Sequence, residues 1–80
     1  MKIVYIIKSQ KDSSIYTGVT SDLDDRMKRH NNAEVETTKH RVPWELVCYF
    51  NFTNNQTAYN LERYLKTGSG RAFLKRHLLG

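Results

Sequence analysis

KIVYIIK (residues 2–8) is the stretch on which the fold turns. Its β-branched and aromatic residues favour an extended chain. From Ile3 to Ile7 no polar side chain interrupts the apolar run. Such a run reads as a strand buried on both faces. SQKDSS (9–14) is a polar turn segment, and Ile15 to Val19 reads as a second strand, so the two make a hairpin. A loop longer than two residues leaves the register open. A register that pairs Tyr5 with Tyr16 would set both rings on one sheet face as cross-strand neighbours.

Downstream, Thr20 or Ser21 can cap a helix. Asp22, Asp24 and Asp25 crowd its first turn and Lys28, Arg29 and His30 its last, as the helix dipole favours. Leu23 and Met27 form an i, i+4 apolar pair for the sheet, and Asn31-Asn32 ends the helix. Residues 33–43 read as a polar loop closed by Pro43. In WELVCYFNF (44–52) Trp44, Leu46, Cys48, Phe50 and Phe52 alternate with Glu45, Val47, Tyr49 and Asn51, the pattern of a third strand with one apolar face. Thr53 and Gln56 match a capping box for a helix whose buried stripe is Ala58, Leu61 and Leu65. Gly68 is placed to stop it. A last helix, about Arg71 to Leu79, would turn Phe73, Leu74 and Leu78 inward and Arg71, Lys75 and Arg76 outward. The order β-β-α-β-α-α predicts an α/β (α+β) domain spanning residues 1–80, mainly antiparallel.

Composition narrows the function. With 39% hydrophobic and 26% charged residues the chain is an ordinary globular domain rather than a disordered one. The apolar run at 3–7 is too short for a membrane span or a signal-peptide core. Cys48 is the only cysteine. That excludes an intrachain disulfide and a cysteine-cluster zinc site and fits a reducing cytoplasm. Thirteen Lys+Arg against eight Asp+Glu give a formal charge of +5. The excess fits either a polyanionic partner, most often nucleic acid, or plain solubility.

Several residues carry candidate chemistry. Arg26 and His30, four apart on one helix, can meet on one face. An arginine fork binds phosphate, and an imidazole orients water or passes a proton. Equally, both can decorate the basic end of an amphipathic helix. Tyr5 and Tyr16 lie on adjacent strands and are either reactive phenols or good strand residues. Glu62 lies at the edge of a buried stripe. One carboxylate plus substrate oxygens suffices for Mg²⁺, whereas Lys66 at i+4 offers an ion pair. Gly18 permits close approach of a DNA backbone or of the following helix, or marks a β-bulge. Lys39, His40 and Arg41 form a basic loop that either contacts phosphates or is simply solvated. His77 reads as a capping or packing residue, and the three histidines lack zinc-ligand spacing.

Taken together, IVYII, YTGVTSDLDDRMKRHN and YNLERYLK resemble the GIY-YIG nuclease superfamily. The resemblance rests on a strand tyrosine, then Y-x-G, an arginine eight residues after that glycine, a histidine four further on, and a glutamate inside a later helix. It spans essentially the whole chain. It points to small stand-alone bacterial members similar to the nuclease domain of the excision-repair incision enzyme, as do KHRVPWELV and GSGRAFLK. The family implies a three-stranded antiparallel sheet flanked by helices. It also implies hydrolysis of phosphodiester bonds in DNA, branched or damaged DNA included, with one Mg²⁺ or Mn²⁺ on Glu62. By position, Tyr5 and Tyr16 would flank the scissile phosphate, Tyr5 orienting or deprotonating the attacking water. Arg26 would stabilise phosphate charge and His30 would assist the water or the tyrosine. Gly18, Lys39, His40, Arg41, Lys66 and Arg71 would contact nucleic acid.

The chain departs from the family pattern in three places. The first motif lacks its leading glycine, Thr17 replaces an isoleucine, and no asparagine follows Glu62. The last departure keeps a second reading in play, a nucleic-acid-binding module without turnover. A third, a protein-interaction domain, has no positive support in the residues. No separate DNA-binding domain fits within 80 residues, so intrinsic sequence specificity should be low unless a protein partner supplies it.

Overall fold

The computed structural model describes residues 1–79. Its elements are β1 (Lys2–Ser9), β2 (Ile15–Thr20), α1 (Leu23–Asn31), β3 (Trp44–Phe52), α2 (Asn55–Leu65) and α3 (Gly68–His77), with a short 3-10 turn at Lys39–Arg41. The strands form one antiparallel sheet in the order β2-β1-β3. The expected element order and sheet therefore hold. β1 is central, and Val4, Tyr5, Ile6 and Ile7 have no exposed surface.

The strand period divides these four residues between two cores. Val4 and Ile6 pack with Ala58 and Leu65 of α2 and Leu74 of α3. Tyr5 and Ile7 face the other way, toward Trp44 and toward Leu23 and Met27 of α1. Burying a large aliphatic side chain contributes about 1.5–3 kcal/mol, and β1 collects that gain on both faces. Cys48 is half-buried against the first core, and burial pushes its thiol up from its ordinary pKa. Among the described residues no helix is long and apolar enough to cross a membrane.

Several local expectations need correction. Tyr5 pairs with Gly18, and Tyr16 pairs with Ile7. The two tyrosines share a face but sit diagonally. Asp22, not Thr20 or Ser21, caps α1, its carboxylate accepting from Asp25 N at 3.0 Å. Thr20 Oγ1 instead accepts from Asp22 N, at 3.1 Å, and shapes the turn just ahead. Asn54 caps α2 through Thr57 N at 3.1 Å, while Gln56 bonds to Asn60. Gly68 does not stop α2; it opens α3, because Thr67 accepts from Gly70 N as an N-cap. A Cβ on Gly70 would strike Tyr64 O and the Leu65 backbone, so glycine lets α3 start directly against the end of α2. Phe73 is 39% exposed rather than buried and lies beside the His77 ring, at 5.0 Å between centroids.

The third strand departs most. β1 and β3 pair in register from Lys2 to Ile6, then skip one residue, so that Ile6 faces Cys48 while Ile7 faces Leu46. Val47 is the extra residue of a bulge. A one-residue slip moves the side chains beyond it to the other face. Trp44 consequently joins Tyr5 and Ile7, not the Cys48 face that simple alternation assigns it. There Asn31 grips its backbone twice: Trp44 N donates to Asn31 Oδ1 at 2.6 Å, and Asn31 Nδ2 donates to Trp44 O at 3.2 Å. The end of α1 is thereby stapled to the start of β3.

α1 ends in a Schellman motif. Glu34 N donates to Arg29 O and Ala33 N to His30 O. Ala33 occupies the position that favours glycine, at φ 59°. The left-handed conformation costs an alanine about 1–2 kcal/mol, partly offset by the smaller entropy it loses on folding. Ala33→Gly should therefore raise unfolding stability by up to about 1 kcal/mol, read as a higher urea midpoint with an unchanged slope.

Candidate active site

α1 lies over the Tyr5 face of the sheet and sends two side chains, one turn apart, onto one phenol. His30 Nε2 is 2.8 Å from Tyr5 Oη, and Arg26 Nε donates to the same oxygen at 3.3 Å. The i, i+4 spacing read from sequence thus produces a convergent pair. Tyr16 completes an aromatic wall, its ring centroid 6.4 Å from Tyr5 and 5.4 Å from His30.

Gly18 makes this packing possible. A Cβ there would lie 2.6 Å from Tyr5 Cζ and closer still to its hydroxyl. The space above Gly18 belongs to the Tyr5 ring, not to a DNA backbone or a helix, and Gly18 itself sits in regular strand pairing with β1 rather than in a bulge.

The electrostatics follow from burial. His30 is fully buried. Desolvation, with the nearby Arg26 charge, lowers its pKa from 6.5 to about 4. It is therefore a neutral imidazole at pH 7 and not a cation at the helix C-terminus. Tyr5 is equally buried, and desolvation raises its pKa; the Arg26 hydrogen bond opposes the rise, and the charges of Tyr16 and Glu62 add to it. The free protein holds a neutral phenol against a neutral imidazole.

Two residues complete this arrangement that the sequence reading did not single out. Thr38 Oγ1 is 2.7 Å from His30 Nδ1, and Trp44 Nε1 donates to Thr38 O at 3.1 Å. Thr38 sits in TTKHR, read from sequence for its charges. Trp44 opens WELVCYFNF, read for its strand pattern. Both are buried.

Glu62 lies on the C-terminal half of α2, and Lys66, one turn on, caps that helix beside Tyr16. They are ion-paired, with the Glu62 side chain 18% exposed, and Lys66 Nζ lies 5.5 Å from the Tyr16 ring centroid. The expected Glu–Lys pair thus forms. Among the described residues no group of three His, Cys, Asp or Glu side chains could hold a metal. A lone carboxylate still suits a Mg²⁺ or Mn²⁺ ion that takes its other ligands from phosphate and water.

The basic residues divide. Arg71 is exposed, and with Tyr16, Lys66, Ile15 and Leu74 it lines a cavity of about 150 Å³. Arg41 serves the fold. Its guanidinium donates to Ser14 Oγ and Thr37 O and lies 5.1 Å from the Trp44 ring centroid. Lys39 pairs with Glu36 at 3.0 Å, and His40 is exposed.

The sequence and the fold have known counterparts. The family model of the GIY-YIG catalytic domain matches residues 1–76. The chain belongs to the GIY-YIG family. A UPF0213 protein of Clostridium perfringens is 43% identical over 67 residues, covering 82% of this chain and 71% of that one. A UPF0213 protein of Staphylococcus saprophyticus is 38% identical over 73 residues, covering 90% and 88%. The solution NMR structure of a UPF0213 protein from Bacillus halodurans superposes with a TM-score of 0.59 at 31% identity, covering 95% of this GIY-YIG chain and 84% of that one.

Two outcomes follow from the burial of Tyr5 and His30. In Gly18→Ala the new methyl must push the Tyr5 ring off His30. Overpacking of this kind costs about 1–3 kcal/mol, measurable by urea denaturation, whereas Val19→Ala would leave the Tyr5–His30 contact intact. The second concerns pH. Unfolded His30 binds a proton below about pH 6.5, but folded His30 only below about 4. The unfolded state holds the extra proton between those values, so stability falls as pH drops through that window. The loss approaches 3 kcal/mol by about pH 4. His30→Gln should flatten this part of the stability profile.

Proposed function

We propose that this chain acts as a divalent-metal-dependent endonuclease that hydrolyses phosphodiester bonds in DNA. The observation that carries the reading is how Arg26 divides its donors. Nε is committed to Tyr5, while the two terminal nitrogens have no hydrogen-bond partner among the described residues. That free fork matches two phosphate oxygens. Its half-buried position lets it act on developing charge with less competition from water.

A phosphate on Arg26 would lie beside Tyr16, which is half-buried and accessible. Tyr5 has no exposed surface, so its role differs from that of a phenol standing open to water. In this reading the guanidinium shifts onto the phosphate and uncovers Tyr5 Oη. The attacking water then gives a proton to Tyr5 Oη as Tyr5 passes its own to His30 Nε2. The entering phosphate charge favours the imidazolium that results. Glu62 would exchange Lys66 for Mg²⁺ or Mn²⁺, and such an ion, when bound, supplies positive charge at the leaving oxygen. Arg71 and Lys66 would take a neighbouring phosphate, with exposed His40 and Lys39 contributing farther out.

The Glu62–Lys66 ion pair also favours a second reading, because a carboxylate already neutralised is a weaker metal ligand. In that case the domain binds nucleic acid without cleaving it. Nicked, branched and single-stranded DNA incubated with the protein in Mg²⁺ or Mn²⁺ separates the two. Cleavage should appear, and Glu62→Ala and Arg26→Ala should each slow it by about 10²-fold or more. Cleavage that survives Glu62→Ala rejects the metal assignment. Binding that weakens steeply with salt, with no cleavage, selects the second reading.

A further inference from the structure

The hydrogens around Tyr5 and His30 can be assigned one by one. Among the described residues Tyr5 Oη has two partners, Arg26 Nε and His30 Nε2. A guanidinium donates and cannot accept. The only group able to take the phenolic hydrogen is therefore His30 Nε2, and Tyr5 is sealed from water. Were Nε2 protonated, it and Arg26 would both point hydrogens at Oη. The phenolic hydrogen would then be buried without an acceptor, an arrangement that native interiors avoid.

With Nε2 bare, the single proton of neutral His30 sits on Nδ1, 2.7 Å from Thr38 Oγ1. Thr38 accepts it and turns its own hydroxyl toward Val35 O, 3.5 Å away. Every hydrogen then has one destination, in the order Arg26 to Tyr5, Tyr5 to His30, His30 to Thr38, Thr38 to Val35. The threonine is held rigidly. Its amide donates to Val35 O at 3.1 Å, its carbonyl accepts from the Trp44 indole, and its side chain is fully buried.

We propose that Thr38 is a positioning residue, which by accepting the Nδ1 proton locks the His30 ring in place, in the tautomer that the Tyr5 hydroxyl imposes. The assignment of a catalytic use to that tautomer rests on the nuclease reading above; the tautomer itself does not. A third group that fixes an imidazole behind a reacting hydroxyl is the logic of a catalytic triad, here with a threonine hydroxyl in the orienting place.

The test reads the ring nitrogens directly. Long-range ¹H–¹⁵N NMR of uniformly labelled protein at pH 7 should show His30 protonated on Nδ1. Thr38→Ser keeps the hydroxyl and should keep that pattern. Thr38→Val removes the acceptor: the proton should stay on Nδ1 but lose its hydrogen-bonded downfield ¹H shift, and the loosened ring should lower kcat by at least about tenfold with little change in KM. Wild-type protein protonated on Nε2 overturns the proposal, whatever Thr38→Val does. So does a folded Thr38→Val with the wild-type Nδ1–H shift and rate. Should Thr38→Val not fold, the wild-type and Thr38→Ser spectra still decide. If the wild-type spectrum is as expected but no DNA is cleaved under any metal condition, the nuclease reading fails and the tautomer assignment stands.

Discussion

Everything on the α1 side of this molecule depends on one extra residue in an edge strand. The bulge at Val47 turns the first part of β3 over, so that Trp44 lies beside Tyr5 and Ile7. Without that rotation the indole would sit against α2 and α3. From its actual place Trp44 holds α1 through Asn31 and the preceding loop through Thr38. The geometry of His30 is therefore set from three directions: by its own helix, by the sheet under it, and by a loop pinned to an edge strand.

The parts of the fold legible in sequence were those set by periodicity. KIVYIIK could only be covered on both faces, and the charge gradient of 22–30 marked a helix whatever its exact cap. Caps and helix ends were displaced by a residue or more because several candidates compete locally. Asp22 and Asn54 prevail over Thr20 and Thr53 through backbone geometry that composition does not reveal. The bulge was illegible for a deeper reason. WELVCYFNF alternates well enough to satisfy a flat strand, and only the packing of Trp44 on the far face selects the irregular one.

The site was legible to the same degree. Tyr5, Arg26 and His30 meet at one oxygen, as their spacing allowed. Glu62 joins through its field on Tyr5 and through Lys66 beside Tyr16. Thr38 stayed hidden because its contribution lies in one hydroxyl that meets His30 across a loop. Arg41 looked like a phosphate contact because charge is visible in sequence, whereas the Ser14 and Thr37 acceptors that occupy it are not. His30 shows the converse, since the sequence leaves both a reactive imidazole and a surface cation open. Its neighbours Lys28 and Arg29 make it look like one more surface cation, and only burial shows it to be neutral.

Arg26 carries a consequence for what chemistry this position can accommodate. Its Nε and its terminal nitrogens point in different directions from one rigid plane, so one side chain can hold the phenol by one edge and be drawn off it when an anion takes the other. A lysine would offer a single ammonium on a flexible stem. It could serve the tyrosine or the phosphate, and it would leave the two uncorrelated. In this fold the arginine is a mechanical link as well as a charge: whatever seats an anion on its outer edge is felt by Tyr5 on its inner one.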